Sequence, residues 1–196
     1  MDKEIFAIAG IAIGIASYAP YLWSIYKGRS KPHAFSWIIW GTLTAIAFFA
    51  QWVEGAGPGA WITAFTALLS FIIVGVALFK GEKEITRSDW ITFTAAIAAI
   101  PLWYFTSDPL PAVILVTGID ALGFYPTFRK SWKRPFEEPA VSYLLSGAKF
   151  AVSLPALQVF SIITVIYPLS LVITNAIFVT MILWRRKVLS TSLSPA

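Results

Sequence analysis

Apolar residues occur along this chain in long runs that short polar stretches interrupt. Seven runs approach the length of about 20 helical residues that a bilayer core requires, and none shows the apolar–polar alternation of a membrane β-strand. Because a backbone in lipid must satisfy its own hydrogen bonds, each run is predicted to be a helix. The pattern predicts an all-α membrane protein with seven transmembrane helices, at 4–26, 34–53, 59–80, 89–106, 110–128, 140–158 and 162–184.

The basic residues predict how these helices are oriented in the membrane. Nearly all of the 15 lysine and arginine residues follow the first, third, fifth and seventh runs, as Lys27, Lys80 and Arg185 do. Lys3 is the exception on the other side, which also carries acidic residues. Since positive charge in short connections marks the cytoplasmic face, the N-terminus is predicted outside and the C-terminus in the cytoplasm.

When the sequence is shifted by 106 positions, features of the first half coincide with matching features of the second half. The match extends over about 70 residues without a gap. Pro20 falls on Pro126, and Lys27 falls on Lys133. The fourth run has no counterpart, and one such connecting helix lets two three-helix units share an orientation. The predicted units are a first three-helix repeat at 1–80, a linker with inverting helix 4 at 81–108, a second three-helix repeat at 109–187 and a cytoplasmic tail at 188–196.

A proline near the end of a helix, a basic connection and an aromatic helix start together resemble the SWEET and PQ-loop transporter superfamily. There, two parallel three-helix repeats are joined by one inverting helix. The Pro-Gln pair of that superfamily reads Pro20-Tyr21 in the first copy and Pro126-Thr127 in the second. The resemblance implies a transporter that moves a sugar, amino acid or organic acid by alternating access between the two triple-helix bundles.

Composition agrees with a membrane environment and narrows the chemistry. Hydrophobic residues make up 58% of the chain, charged residues 13%, and the mean hydropathy is +0.74. The net charge of +5 lies in short connections, so the predicted partners are the lipid bilayer and a small solute, not a nucleic acid. Association with further copies of the chain stays open. With no cysteine and no catalytic or phosphate-binding motif, neither an enzyme activity nor a catalytic residue, metal or cofactor is predicted.

Three strongly polar residues interrupt the apolar runs of the second repeat. Asp120, Lys149 and Asn175 each lie about ten residues from a helix end, which corresponds to the middle of the bilayer. Charged side chains there are costly and rare, so we expect all three to bind the substrate. Asp120 is also the candidate for proton coupling, because burial without a cation favours a protonated carboxyl. The alternatives are an Asp120–Lys149 ion pair that fixes helix rotation and an Asn175 bond to a neighbouring helix.

The resemblance adds two assignments for aromatic and amide residues. Asn175 corresponds to the asparagine that hydrogen-bonds the sugar in SWEET proteins, whereas the first-repeat equivalent is Leu69. Trp52 resembles the aromatic residue that stacks on the substrate, with the interfacial belt as its alternative role. Trp37 and Trp40 lie close to a span end, and we predict that they belong to that belt.

The prolines and their neighbours suggest moving parts. A proline inside a helix removes one backbone hydrogen bond and loosens the turn, so the matched Pro20 and Pro126 are predicted hinges. A static kink is the alternative. Tyr18, Tyr21 and Tyr125 flank these prolines and are predicted gates.

A second class of function would use the same fold differently. A seven-helix membrane receptor or partner-binding scaffold would carry its functional residues at a rim, such as the basic segment 129–134, instead of at mid-depth.

Overall fold

The computed structural model describes residues 2–28, 32, 34–81, 87–136 and 140–192. Within these ranges all regular secondary structure is helical, which confirms the all-α prediction. Within these ranges, the side chains that the structure does not describe are those of Ser24, Ser88, Asp89, Tyr125, Pro126, Arg129, Lys130, Thr191 and Ser192.

Eight α-helices and one short 3₁₀ turn make up the described part of the chain. In order they are α1 Lys3–Tyr26, α2 Ala34–Val53, the 3₁₀ turn Gly57–Ala60, α3 Trp61–Lys80, α4 Arg87–Thr106, α5 Pro109–Gly123, α6 Tyr125–Lys133, α7 Ala140–Ala156 and α8 Ile162–Ser192.

The outer surface of the helices is compatible with an integral membrane protein. Large apolar side chains face outward, including Phe79 at 89% exposure and Phe105 at 81%, and soluble monomers rarely expose extensive patches of this kind. Trp90–Thr106 and Pro109–Gly123 are shorter apolar helices. By length and composition, four helices of the described residues could cross a membrane: Lys3–Trp23, Ala34–Val53, Gly57–Lys80 and Ile162–Ser190.

The fifth apolar run differs from its prediction as one helix over 110–128. It forms α5, which ends at Gly123, and α6, which begins at Tyr125. Pro126 has no amide hydrogen to donate to the carbonyl of Leu122. The Phe124 N–H instead closes a tighter turn on Ala121 O at 3.2 Å, so the helix is interrupted just before the proline.

The C-terminal helix is longer than predicted. The apolar run ends at 184 and the tail was expected from 188, yet α8 continues to Ser192. Arg185 Nε donates to Trp132 O at 3.0 Å and Arg186 Nε donates to Pro135 O at 3.0 Å. These bonds hold the polar end of α8 against the end of α6, so the helix continues past the apolar residues.

The helices contact one another in matching pairs. Helix α1 packs against α3 and α7, while α5 packs against α8 and α2. Helix α2 packs against α3, and α7 packs against α8. A shift of 106 positions converts each of these contacts into another of the set. Helix α4 lies beside α5 and α2, outside the paired pattern.

Glycine residues of α1 permit its close approach to α3 and α7. A Cβ atom on Gly10 would lie 2.7 Å from Ile62 Cγ1 and 3.2 Å from the carbonyl oxygen of Lys149. Real Cβ atoms do not approach a neighbouring carbon atom this closely. A larger residue in place of Gly10 would therefore not fit while α1 stays where it is. Close packing of this kind is a usual means of helix association in membranes.

We predict that Gly10→Ala lowers the free energy of unfolding by about 1–3 kcal/mol, because the added methyl overpacks the contact with Ile62. Gly75→Ala is the matched control, since a Cβ atom on Gly75 meets nothing within 4 Å, and removing a helical glycine is expected to stabilise by up to about 1 kcal/mol. Unfolding of both variants in detergent, followed by circular dichroism, measures the difference. Equal stability of the two variants would contradict the packing.

Candidate functional site

A cavity of about 720 Å³ lies between two groups of helices. We call α1–α3 the first triplet and α5–α8 the second triplet, in which α5 and α6 count as one because both come from the fifth apolar run. It extends from mid-depth towards the end of the bundle where α1 is followed by Lys27 and α3 ends at Lys80. We call this the basic end. The lining confirms this extent, because α2 contributes its first half, from Ser36 to Thr44, and α7 contributes residues 142–150. The other end of the bundle, where α1 begins, is called the opposite end.

The cavity lies where repeat-related residues face one another. Many of its lining side chains come in pairs separated by 106 positions, one from each triplet, so both triplets contribute equivalent surfaces to one space. These pairs are Ser17 and Gly123, Tyr18 and Phe124, Tyr21 and Thr127, Ser36 and Ser142, Trp37 and Tyr143, Trp40 and Ser146, and Thr44 and Phe150.

The three predicted polar residues line this same cavity. Asp120 on α5, Lys149 on α7 and Asn175 on α8 are all buried, with exposed fractions of 8%, 0% and 2%. The structure therefore brings them together, whereas their role in binding a substrate stays a prediction. The polar set belongs to one triplet only, because the repeat-related residues of the other triplet are Gly14, Leu43 and Leu69.

The ammonium of Lys149 is held by the first triplet. Its Nζ donates to Thr66 Oγ1 at 3.1 Å and stands 4.5 Å from the ring centroid of Tyr18. A Cβ atom on Gly14 would lie 3.6 Å from Lys149 Cδ, so the glycine leaves room for the aliphatic chain. Among the described residues no salt bridge joins Lys149 to Asp120. Lys149 thus connects α7 to α1 and α3.

The carboxylate of Asp120 has no hydrogen-bond or ion-pair partner among the described residues. Asp120 lines the cavity together with Tyr18 and Tyr167. A buried carboxylate without a partner is unusual, because a charged group removed from water normally requires compensation. Its position on the cavity wall leaves it available to a cation that enters.

Asn175 presents an unused acceptor. Its Nδ2 donates to Leu171 O at 2.7 Å, which fixes the orientation of the amide. The Oδ1 atom is buried and has no hydrogen-bond partner. A Cβ atom on Gly147 would lie 3.1 Å from Asn175 Cβ, so α7 can pack closely against α8 at this point. Buried polar atoms without partners are few in folded proteins and often indicate function.

A tyrosine and a threonine that sequence reasoning missed also line the cavity. Thr44 Oγ1 donates to Trp40 O at 2.7 Å, and Tyr167 OH lies 3.0 Å from Thr44 Oγ1. Because a threonine hydroxyl has one hydrogen, Tyr167 is the donor in that pair. Under the shift of 106 positions, Tyr167 coincides with Trp61. This match indicates an aromatic position, but it does not indicate that the side chain faces the cavity.

Two further hydroxyls on α3 were missed. Thr66 Oγ1 donates to Ile62 O at 2.8 Å, and Ser70 Oγ donates to Thr66 O at 2.9 Å. Residues four apart share a helix face, so the spacing of Thr66 and Ser70 is the signal that could have placed them together. Both hydroxyls line the cavity with their hydrogens directed at the backbone.

Three tryptophans of α2 differ in their position relative to the cavity. Trp52 does not line the cavity: it is 57% exposed and its ring lies 6.0 Å from that of Phe48 on the outer surface. Trp37 and Trp40, which were expected in the interfacial belt, line the cavity instead. The first half of α2 lines the cavity, whereas Trp52 lies in its second half, beyond the residues of α2 that line the cavity.

The predicted gate and hinge residues are partly described. Tyr18 and Tyr21 line the cavity, and Trp37 Nε1 donates to Tyr21 OH at 3.3 Å. Pro20 lies inside an α1 that is continuous from Lys3 to Tyr26, and it also lines the cavity. The side chains of Tyr125 and Pro126 lie outside the described residues.

The opposite end of the bundle is closed by two connections that touch. A Cβ atom on Gly59 would lie 2.8 Å from Leu157 Cα, so the α2–α3 and α7–α8 connections meet backbone to backbone. Gln158 N donates to Ala56 O at 2.9 Å, and Lys3 Nζ donates to Leu157 O at 2.7 Å. These contacts hold the two connections together at this end of the bundle.

Comparisons of the chain with protein-family models, with curated proteins and with solved structures give no significant match. The site is therefore interpreted from its own geometry. In the described ranges, no group of three or more histidine, cysteine, aspartate or glutamate residues is arranged to hold a metal ion. The polar groups of the cavity are suited to binding and release of a polar solute.

We predict that Thr66→Val lowers the free energy of unfolding by about 1.5–3 kcal/mol, because the ammonium of Lys149 loses its acceptor. Thr63→Val is the matched control on the same helix, since the Thr63 hydroxyl is buried without a partner and its loss is expected to be neutral or stabilising. Adding Lys149→Met to Thr66→Val should recover much of the loss. A double variant no more stable than Thr66→Val would contradict the contact.

Proposed function

We propose that this protein is a seven-helix membrane transporter that moves a small polar solute by alternating access between two triple-helix bundles. One observation carries the proposal: a cavity of about 720 Å³, lined by repeat-related residue pairs, ends at mid-depth against a closed end of the bundle. A space of this size can enclose a drug-sized or smaller molecule. Its position between duplicated halves is where transporters of repeated architecture bind their cargo.

In this proposal α5 and α6 form one interrupted span, and α4 is the inverting helix between two parallel repeats. The matching helix contacts support it, because α1–α7 corresponds to α5–α2 and α2–α3 corresponds to α7–α8. The interruption at Phe124 also fits a transporter, in which broken helices line the binding site. The basic residues support an N-terminus outside and a C-terminus in the cytoplasm.

Asp120, Lys149 and Asn175 are the proposed substrate-contacting residues, and Asp120 is the proposed proton carrier. Their burial at mid-depth and their shared cavity support these roles. Since the counterparts in the first repeat are apolar, the cargo would meet polar groups mainly on one side. Tyr18 and Tyr21 are the proposed gate on the cytoplasmic side, and Pro20 and Pro126 are the proposed hinges.

The described conformation would be the inward-facing state. The cavity approaches the basic end, while the α2–α3 and α7–α8 connections close the opposite end. Transport would then require these connections to separate while the basic end closes. The contact made by Gly59 and Leu157 would therefore be the outer gate.

We predict that the purified protein in liposomes moves at least one polar solute from a panel of sugars, amino acids and monocarboxylates, tested with and without a pH gradient. Asp120→Asn and Asn175→Ala should each lower the initial rate at least about tenfold, because each removes a polar contact in the cavity. Glu4→Gln is the matched control, an acid-to-amide change at an exposed residue of α1 outside the cavity lining. Flux that survives both cavity substitutions would contradict the assignment of these residues to the binding site. The absence of any flux would favour a receptor.

We predict that a disulfide between Ala56→Cys and Gln158→Cys stops transport. The backbone hydrogen bond between these residues brings their Cα atoms within the range that a disulfide bridges. Because the chain has no cysteine of its own, the new pair is the only one that oxidation can join. Flux should fall on oxidation and return on reduction, while the two single variants stay active. Full activity of the cross-linked protein would contradict an outer gate at this place.

A further inference from the structure

Four hydroxyl groups in the cavity wall offer acceptors, because each already donates its one hydrogen within the protein. The hydroxyls of Thr44, Thr66 and Ser70 donate to backbone carbonyls, and the phenol of Tyr167 donates to Thr44. Each of these oxygens retains lone-pair capacity. These four hydroxyl groups can therefore accept a hydrogen bond from an entering solute but cannot donate one.

Two stronger acceptors lie in the same wall without partners. The carboxylate of Asp120 and the Oδ1 atom of Asn175 are more than nine-tenths buried, and neither accepts a hydrogen bond from the described residues. A buried acceptor without a partner costs free energy that a donor can recover. Both atoms are suited to a group that brings several N–H donors.

The cationic side chain of the cavity is already engaged. Lys149 is fully enclosed, with its Nζ donating to Thr66 and standing over the ring of Tyr18. Asp120, which also lines the cavity, retains an exposed fraction of 8%, whereas Lys149 retains none. An entering solute would therefore meet negative charge before positive charge.

Aromatic rings form much of the remaining wall. Trp40, Phe124 and Phe150 line the cavity together with Tyr18 and Tyr167. The faces of aromatic rings attract cations, by about 0.5–2 kcal/mol for each contact. Such a wall suits a cation better than an anion, because an anion would be repelled by the same faces.

We propose that the solute is an organic ammonium ion, whose charged N–H₃ group binds to Asp120 and Asn175 within the aromatic wall. This inference rests on the proposed transport function and specifies its cargo. Charge-assisted hydrogen bonds to a carboxylate are about twice as strong as hydrogen bonds between neutral groups. The same carboxylate cannot hold a proton and an ammonium ion at once, so binding weakens when Asp120 is protonated.

Three hexoses of the same ring framework test the charge of the cargo. Glucosamine carries an ammonium group, glucose carries none and glucuronate carries a carboxylate, so the series changes charge at nearly constant size. Putrescine serves as an amine without a sugar ring, and alanine serves as a zwitterion. Uptake of each radiolabelled probe into proteoliposomes is measured against protein-free vesicles.

The expected result is uptake of glucosamine and putrescine at least about tenfold faster than that of glucose and glucuronate. Asp120→Asn should abolish this preference, Asp120→Glu should retain it, and Glu4→Gln should leave it unchanged. Correct folding of each variant is checked by its unfolding temperature in detergent. An acidic medium should slow amine uptake in the natural protein.

The outcomes separate this inference from the function on which it rests. Transport of glucose, glucuronate or alanine in preference to both amines would overturn the ammonium cargo and leave the transporter intact. An amine preference that survives Asp120→Asn would also overturn it. Failure of every probe and of the wider solute panel to cross would overturn the transport function itself.

Discussion

The enclosed ammonium of Lys149 is the interaction on which the arrangement of the helices depends. A cation removed from water costs several kcal/mol unless nearby groups stabilise it, and here the hydroxyl of Thr66 and the ring of Tyr18 do so. Both belong to the first triplet, whereas Lys149 belongs to the second. Gly14 leaves the space through which the lysine reaches them. The contact joins the triplets at mid-depth and leaves Asp120 without a cationic partner beside the cavity.

The cavity follows from the way in which the two triplets meet. At the opposite end, Gly59 and Leu157 bring two connections into backbone contact, and Gln51 Nε2 donates to Thr164 O at 3.2 Å. Phe150 and Tyr167 lie between these contacts and the cavity, both 2% exposed. Towards the basic end the equivalent side chains of the two triplets line a space instead of filling it. The proposed alternation between two openings is based on these two features, the joined connections at one end and the cavity towards the other.

Sequence reasoning predicted the helical structure of the described residues, because long apolar runs without apolar–polar alternation are readily recognised. It missed the break before Pro126 and the extension of α8 to Ser192, which depend on local hydrogen bonds. The depths of Asp120, Lys149 and Asn175 followed from counting residues, and all three line one cavity. Rotation about each helix axis could not be predicted, because these helices are apolar on every side. For that reason Thr66 was missed as the partner of Lys149, and Trp52 was expected to face the cavity.

The central claim is that two repeated halves rock about a buried site, opening one end while closing the other. Electron–electron distance measurements in lipid nanodiscs test it most directly, with spin labels at two repeat-related pairs of exposed residues. Val53 and Val159 report on the opposite end, and Lys27 and Lys133 report on the basic end. The account predicts two populations at each pair, such that conditions lengthening the Val53–Val159 distance shorten the Lys27–Lys133 distance. A single unchanging distance at both ends, or a change of the same sign at both, would contradict it.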